Sequence, residues 1–237
     1  ATFATIVLIT CPLFFAQGRS AAGQPSSTLA LTAGVGGLLL ITQRQALSLT
    51  SALLVLMGAA LAFFSQGVAG LLTLTSVVVA YTVVSRPGRV ALWTPVIALA
   101  AILAGAWLLV SESEVGGFWH SFSLESPLLG WSISESERPV VLNFDLLIRQ
   151  IGFGLAPWIA LAPFALGYLF ADENPERRNL TLLVLIWFAV PYLVHSLLIK
   201  DTGHFIYPAA PAFAVAVGLL LVHLAEGRTL GYVAGIV

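Results

Sequence analysis

The chain has 237 residues, 59% of them hydrophobic and 9% charged, with a mean hydropathy of +0.98. A soluble domain carries roughly 25% charged residues, so this composition cannot coat a water-facing surface. Ten Lys and Arg against eleven Asp and Glu leave a net charge of −1, which excludes the basic excess that neutralises nucleic-acid phosphates.

Backbone polar groups have no water partner in lipid, so long apolar runs without alternation are expected to be helices. The expected fold is all-α: a polytopic membrane protein of about eight transmembrane helices, forming one transmembrane domain over residues 1–237. The first run, 1–16, holds the chain's single cysteine, Cys11, which excludes an internal disulfide and a cysteine metal cluster. Further runs follow at 28–41, 47–64, 68–84 and 90–110, then at 146–170, 180–199 and 208–224. Gly- and Pro-containing stretches separate them, among them Gly23-Gln24-Pro25, Arg86-Pro87-Gly88-Arg89 and Asn174-Pro175. The chain opens on Ala1 inside an apolar run and ends on a short one, 230–237, so an internal fragment of a longer protein is expected.

Alternate connections divide by charge. Arg44, Arg86, Arg89, Arg177, Arg178 and Arg228 fall on one side, and only Arg19 and Lys200 fall in the short loops of the other. The positive-inside rule makes the first side cytoplasmic. Segment 111–143 is then an external element, long for a connection and rich in Trp, Phe and Leu, with Trp119 and Trp131 suited to an interfacial layer. The same topology places the glycosylation-like Asn179-Leu180-Thr181 inside. Gly34 with Gly37, and Gly67 with Gly70, have spacings that permit close helix packing.

Charges avoid the spans, so the groups sharing the external face are the candidates for chemistry. These are Arg19 with Gln24, Ser65 with Gln66, Asp145 with Arg149, and Lys200 with His204 and Tyr207. Asp145 and Arg149 are four apart and suit a helical ion pair. Tyr207 precedes Pro208, and Pro208 and Pro211 fit the opening of a helix, so the stretch from Lys200 to Tyr207 is expected to be irregular. It offers a cation, an imidazole and a phenol at the interface. That set suits a phosphate, and it equally suits a snorkelling lysine in an aromatic belt. His120, His195, His204 and His223 are scattered, so no metal is expected; P-loop, GxSxG and HExxH patterns are absent.

Three stretches carry a resemblance. They are Cys11-Pro12-Leu13-Phe14-Phe15-Ala16-Gln17-Gly18-Arg19 followed by Gly23-Gln24-Pro25, the run from Gly58 to Gly67 with Ser65-Gln66, and Lys200-Asp201-Thr202-Gly203-His204-Phe205-Ile206-Tyr207-Pro208-Ala209-Ala210-Pro211. With them the chain resembles the polytopic glycosyltransferases of the GT-C type, family 39, which include dolichyl-phosphate mannosyltransferases and lipid A aminoarabinose transferases. Gln24 stands where that family has an acid, and Gln66 where it commonly has Lys. The resemblance implies transfer of a sugar from a polyprenyl-phosphate carrier to an acceptor on the extracytoplasmic face of a bacterial inner membrane. It also implies substrate-binding roles for Arg19, Gln24, Gln66, Lys200, His204 and Tyr207, a catalytic carboxylate upstream of residue 1, no cofactor, and no turnover by this fragment alone. The competing expectation is a non-enzymatic membrane protein, a transporter, flippase or structural subunit. Intramembrane carboxylates or an inverted repeat would mark that alternative, and neither is evident.

Overall fold

The structure is a computed structural model that describes residues 2–17, 24–44, 46–85, 90–112, 148–149, 151–171, 175–198 and 209–227. Its elements are α1 (Thr2–Thr10), α2 (Pro12–Gln17), α3 (Gln24–Arg44), α4 (Leu49–Val84), α5 (Val90–Glu112), a 3₁₀ turn (Trp158–Leu161), α6 (Ala162–Ala171), α7 (Pro175–Leu198) and α8 (Ala210–Ala225). Among the described residues the all-α expectation holds. Three helices, Pro25–Arg44, Leu49–Gly67 and Arg178–Ser196, are long and apolar enough to cross a membrane. Ala69–Val84, Pro95–Gly105, Trp158–Ala171 and Ala210–Ala225 are apolar but shorter.

Eight full spans are not shown among the described residues, and two of the expected runs are interrupted. The first run breaks at Cys11, because Pro12 has no N–H to continue α1 and instead opens α2. The 146–170 run is interrupted as well. Residues 151–154 are helical, the Ala156–Pro157 bond is cis, and the 3₁₀ turn leads into α6, where Pro163 is tolerated as the second residue. At the other end of the long connection, α5 runs on through Ser111 to Glu112, two residues into the expected external element. The remainder of that element lies outside the described residues.

α4 is a hairpin rather than a rod. A straight helix of its 36 residues would be about 54 Å long. Gly58 and Leu74 both abut Gly34, however, and Gly70 packs against the backbone of Ala62. The chain therefore reverses at Gly67, whose φ of 60° and ψ of −140° lie in a region that side chains rarely enter. The first arm starts at a capping box in which the Ser48 hydroxyl accepts from the Ser51 N–H and the Ser51 hydroxyl accepts from the Ser48 N–H.

Lipid tails are as apolar as Leu, so close approach of small residues, rather than water exclusion, holds such helices together. A methyl built on Gly58 would lie 2.6 Å from the Gly34 nitrogen and 2.7 Å from the Ala30 oxygen. One on Gly37 would lie 2.8 Å from the Ser51 carbonyl oxygen. Gly34 and Gly37 thus serve packing, whereas Gly67 serves the turn. At the other end of the sequence, Gly218 of α8 seats against the backbone of Ala4 in α1.

Two clusters make the interior. One joins Leu31, Val35 and Leu38 of α3 to Leu71, Leu74 and Tyr81 of α4, Leu99 of α5 and Trp187 of α7. The second joins Val7 of α1, Tyr168 and Leu169 of α6 and Phe213 and Val217 of α8 to Val184 of α7. α7 serves both. Outside, Leu53, Leu56, Met57 and Phe64 are exposed along one stripe of the first α4 arm, as are Phe153 and Phe170 further on. In water these stripes would be a liability; in a bilayer they are the solvated face.

Polar side chains inside the helices are handled locally. Thr10, Thr32, Thr42, Thr73 and Thr82 each donate the hydroxyl to the carbonyl four residues earlier, and the Cys11 thiol does the same toward Val7.

Candidate functional site

The sequence candidates divide into two groups. Gln24 and Gln66 fall within described helices. Arg19, Lys200, His204 and Tyr207 lie outside the described residues, as does Asp145, whereas Arg149 is an exposed helical residue.

Gln24 is the first residue of α3, one turn before Ser27. Ser27 and Leu31 of α3 line a crevice with Ala62 and Gln66 of the first α4 arm and with Gly70, Thr73 and Leu74 of the second. The hairpin at Gly67 is what brings Gln66 there. A side chain at Gly70 would collide with the Ala62 carbonyl, so glycine lets the arms close beneath Gln66. The crevice holds about 10 Å³, on the order of one water. Ser27 and Thr73 are buried in its wall, and the Thr73 hydroxyl is committed to the Ala69 carbonyl at 2.9 Å. Among the described residues its lining contains amide and hydroxyl groups and no charged side chain. The leading N–H groups of α3 face this end of the bundle and give it a partial positive charge.

The first turn of α8 is part of the same interior, since Ala209 and Ala212 belong to the cluster built from α3 and α4. Pro211 sits in that first turn, as its sequence position requires. α7 approaches residues 199–208 through a closed last turn and a half: Pro191, Val194, His195 and Ser196 are all buried. His195 donates its Nδ1–H to the Pro191 carbonyl at 2.7 Å, because only the ring can be the donor in that pair.

Sequence reading missed this interior polar set. Trp187 Nε1, Ser196 Oγ, Thr28 Oγ1 and Thr75 Oγ1 are buried without a hydrogen-bond partner among the described residues. His195 was one of four scattered histidines in the sequence; its position inside an apolar run was the available signal, since such groups are costly there. Among the described residues no group of three or more His, Cys, Asp or Glu side chains is placed to hold a metal.

No family model matches the chain, and no solved structure matches it. The chain is 24% identical over 219 residues to the undecaprenyl phosphate-alpha-4-amino-4-deoxy-L-arabinose arabinosyl transferase of Erwinia tasmaniensis. That similarity covers 91% of this chain and 39% of the relative, so the chain spans about two fifths of the relative's length.

Proposed function

We propose that the protein is a membrane glycosyltransferase that takes its sugar from a polyprenyl-phosphate carrier at the extracytoplasmic face of the membrane. The observation that carries this reading is the similarity to an arabinosyl transferase whose name specifies undecaprenyl phosphate, extending over nine tenths of the chain. The placement of Gln66 beside the first turns of α3 supports it, because a lipid-linked phosphate needs an anion-accepting site at the end of a bundle.

In this reading Lys200 and Arg19 neutralise the carrier phosphate. His204, Tyr207, Gln24 and Gln66 supply hydrogen bonds around it. A carboxylate upstream of Ala1 takes the proton from the acceptor hydroxyl. The acceptor oxygen bonds to the anomeric carbon while the bond from that carbon to the phosphate oxygen breaks, and the polyprenyl phosphate leaves. Gln24 and Gln66 are neutral where the resembled family has an acid and a lysine, so more of the phosphate charge falls on Lys200 and Arg19.

The three acids among the described residues, Glu112, Glu176 and Glu226, all sit at helix ends, which gives no support to a carboxylate-driven transporter. The test is Lys200→Ala in the full-length protein, with binding of an undecaprenyl-phosphate sugar as the readout. A lost charge-assisted contact of about 1.5 to 3 kcal/mol weakens binding roughly tenfold or more. Unchanged donor affinity would remove Lys200 from the site and favour the snorkelling role.

A further inference from the structure

α7 carries two residues for which a plain spanning helix has no use. Pro191 lies inside it and has no N–H to give the Trp187 carbonyl, so the ladder is interrupted before the helix ends at Leu198. One turn further on, His195 is wholly buried, and its Nδ1–H donates to the Pro191 carbonyl at 2.7 Å. Among the described residues no Lys, Arg, Asp or Glu is buried, so this ring is the exception. An imidazole there costs free energy that a leucine would not. Val194, His195 and Ser196 are consecutive and all buried, and at 3.6 residues per turn they cover roughly 200° of the circumference. The end of α7 is thus seated in the bundle on more than half of its girth, and the ring bond keeps its last turns closed beyond the proline.

Lys200 follows Leu198 by two residues, and a chain of that length reaches at most about 7 Å. Wherever the end of α7 is held, the backbone of Lys200 is held within that radius. We propose that His195 is a positioning residue: by clipping the end of α7 to the Pro191 carbonyl, it fixes the point from which Lys200 reaches the carrier phosphate. On the glycosyltransferase reading, on which this role rests, His195 touches no phosphate and acts through Lys200. A ring that only fills space would serve equally well without its N–H.

The test is binding of undecaprenyl phosphate to the full-length protein and its variants. The side-chain nitrogen of asparagine is attached to Cγ, as Nδ1 is, whereas that of glutamine lies one atom further out, as Nε2 does. His195→Asn therefore keeps the bond to the Pro191 carbonyl and binds within about twofold of the native protein, while His195→Gln and His195→Phe bind roughly threefold to tenfold more weakly. In a Lys200→Ala background the His195→Phe loss disappears, because no cation is left to position. Equal affinity of the Asn and Gln proteins overturns the role, even where the Phe protein fails to fold. So does a His195→Phe loss of the same size with and without Lys200, which marks packing alone. In both cases a weakened Lys200→Ala protein leaves the phosphate-site reading standing. If Lys200→Ala itself binds natively, that reading of Lys200 fails and the positioning role falls with it.

Discussion

Trp158 donates its indole N–H to the Thr10 hydroxyl at 2.7 Å, while the Thr10 hydroxyl donates to the Ile6 carbonyl at 2.6 Å. One hydroxyl thus serves as acceptor for a distant ring and as donor to its own helix. The bond ties α1 to the 3₁₀ turn across the break at Pro157. In a membrane setting such side-chain bonds average about 0.6 kcal/mol. Trp158→Phe and Thr10→Val, measured singly and together, should therefore show a coupling of about that size. Cys11 is the only cysteine and is buried, so its reaction with a maleimide dye on heating reports the unfolding of this region. A coupling of zero would mean that the bond contributes nothing.

Gly58 and Gly36 should respond oppositely to the same substitution. Gly58→Ala drives a methyl into the backbone of Gly34 and Ala30, which cannot rotate away, and should destabilise by about 1 to 3 kcal/mol. At Gly36 nothing lies within 4 Å, so Gly36→Ala should be neutral, or stabilising by up to about 1 kcal/mol through the helix preference of Ala. Thermal unfolding followed through Cys11 compares the two directly. Equal effects would deny the close approach of α3 and α4.

Gly67→Ala should cost about 1 to 3 kcal/mol, because a φ of 60° with a ψ of −140° is a conformation that alanine enters only under strain. If the arms straightened instead, Ala62 and Thr73, which line one crevice from opposite arms, would move apart. A cysteine pair at these two positions, in a Cys11→Ala background, should be bridged by a short bifunctional maleimide in the native hairpin and lose the bridge only when the turn opens. Absence of crosslinking in the otherwise unaltered chain would rule out the reversal.

The sidedness read from the arginines is checked by labelling. Single cysteines at Ser123 and at Asn174, again without Cys11, should react with an impermeant maleimide from opposite faces of the membrane. Reaction of both from one face would overturn the assignment of the 111–143 element to the exterior.

Much of the helical layout was legible because hydrophobic runs in lipid have few alternatives to a helix. The opening of α8 was readable from Pro211, and the packing of α3 from Gly34 and Gly37. The breaks were harder to read. Pro12 lies inside a uniformly apolar run, so hydropathy ran straight across it, although the missing N–H was visible in the residue. The reversal between the 47–64 and 68–84 runs was readable from the gap at Ser65 to Gly67, but the positive φ of Gly67 was not, since the same letter also permits close packing. The candidate site was legible only as a set of polar groups on one face. Nothing local in the sequence ties Gln66 to Ser27, because their proximity depends on the hairpin closing against α3. Trp187 and Ser196 carried no distinguishing pattern, because their burial is decided by helices far away along the chain.

The seating of Gly218 on Ala4 has a consequence for biogenesis. α1 meets α8 only after everything between Ala4 and Gly218 has been synthesised. At roughly 5 to 20 residues per second, Ala4 waits on the order of 10 to 40 s before Gly218 is made. During that interval the small-residue face of α1 stands open to lipid or to a neighbouring insertase. A substitution at Gly218 therefore acts on this late contact, and its first visible effect should be a longer-lived protease-sensitive insertion intermediate.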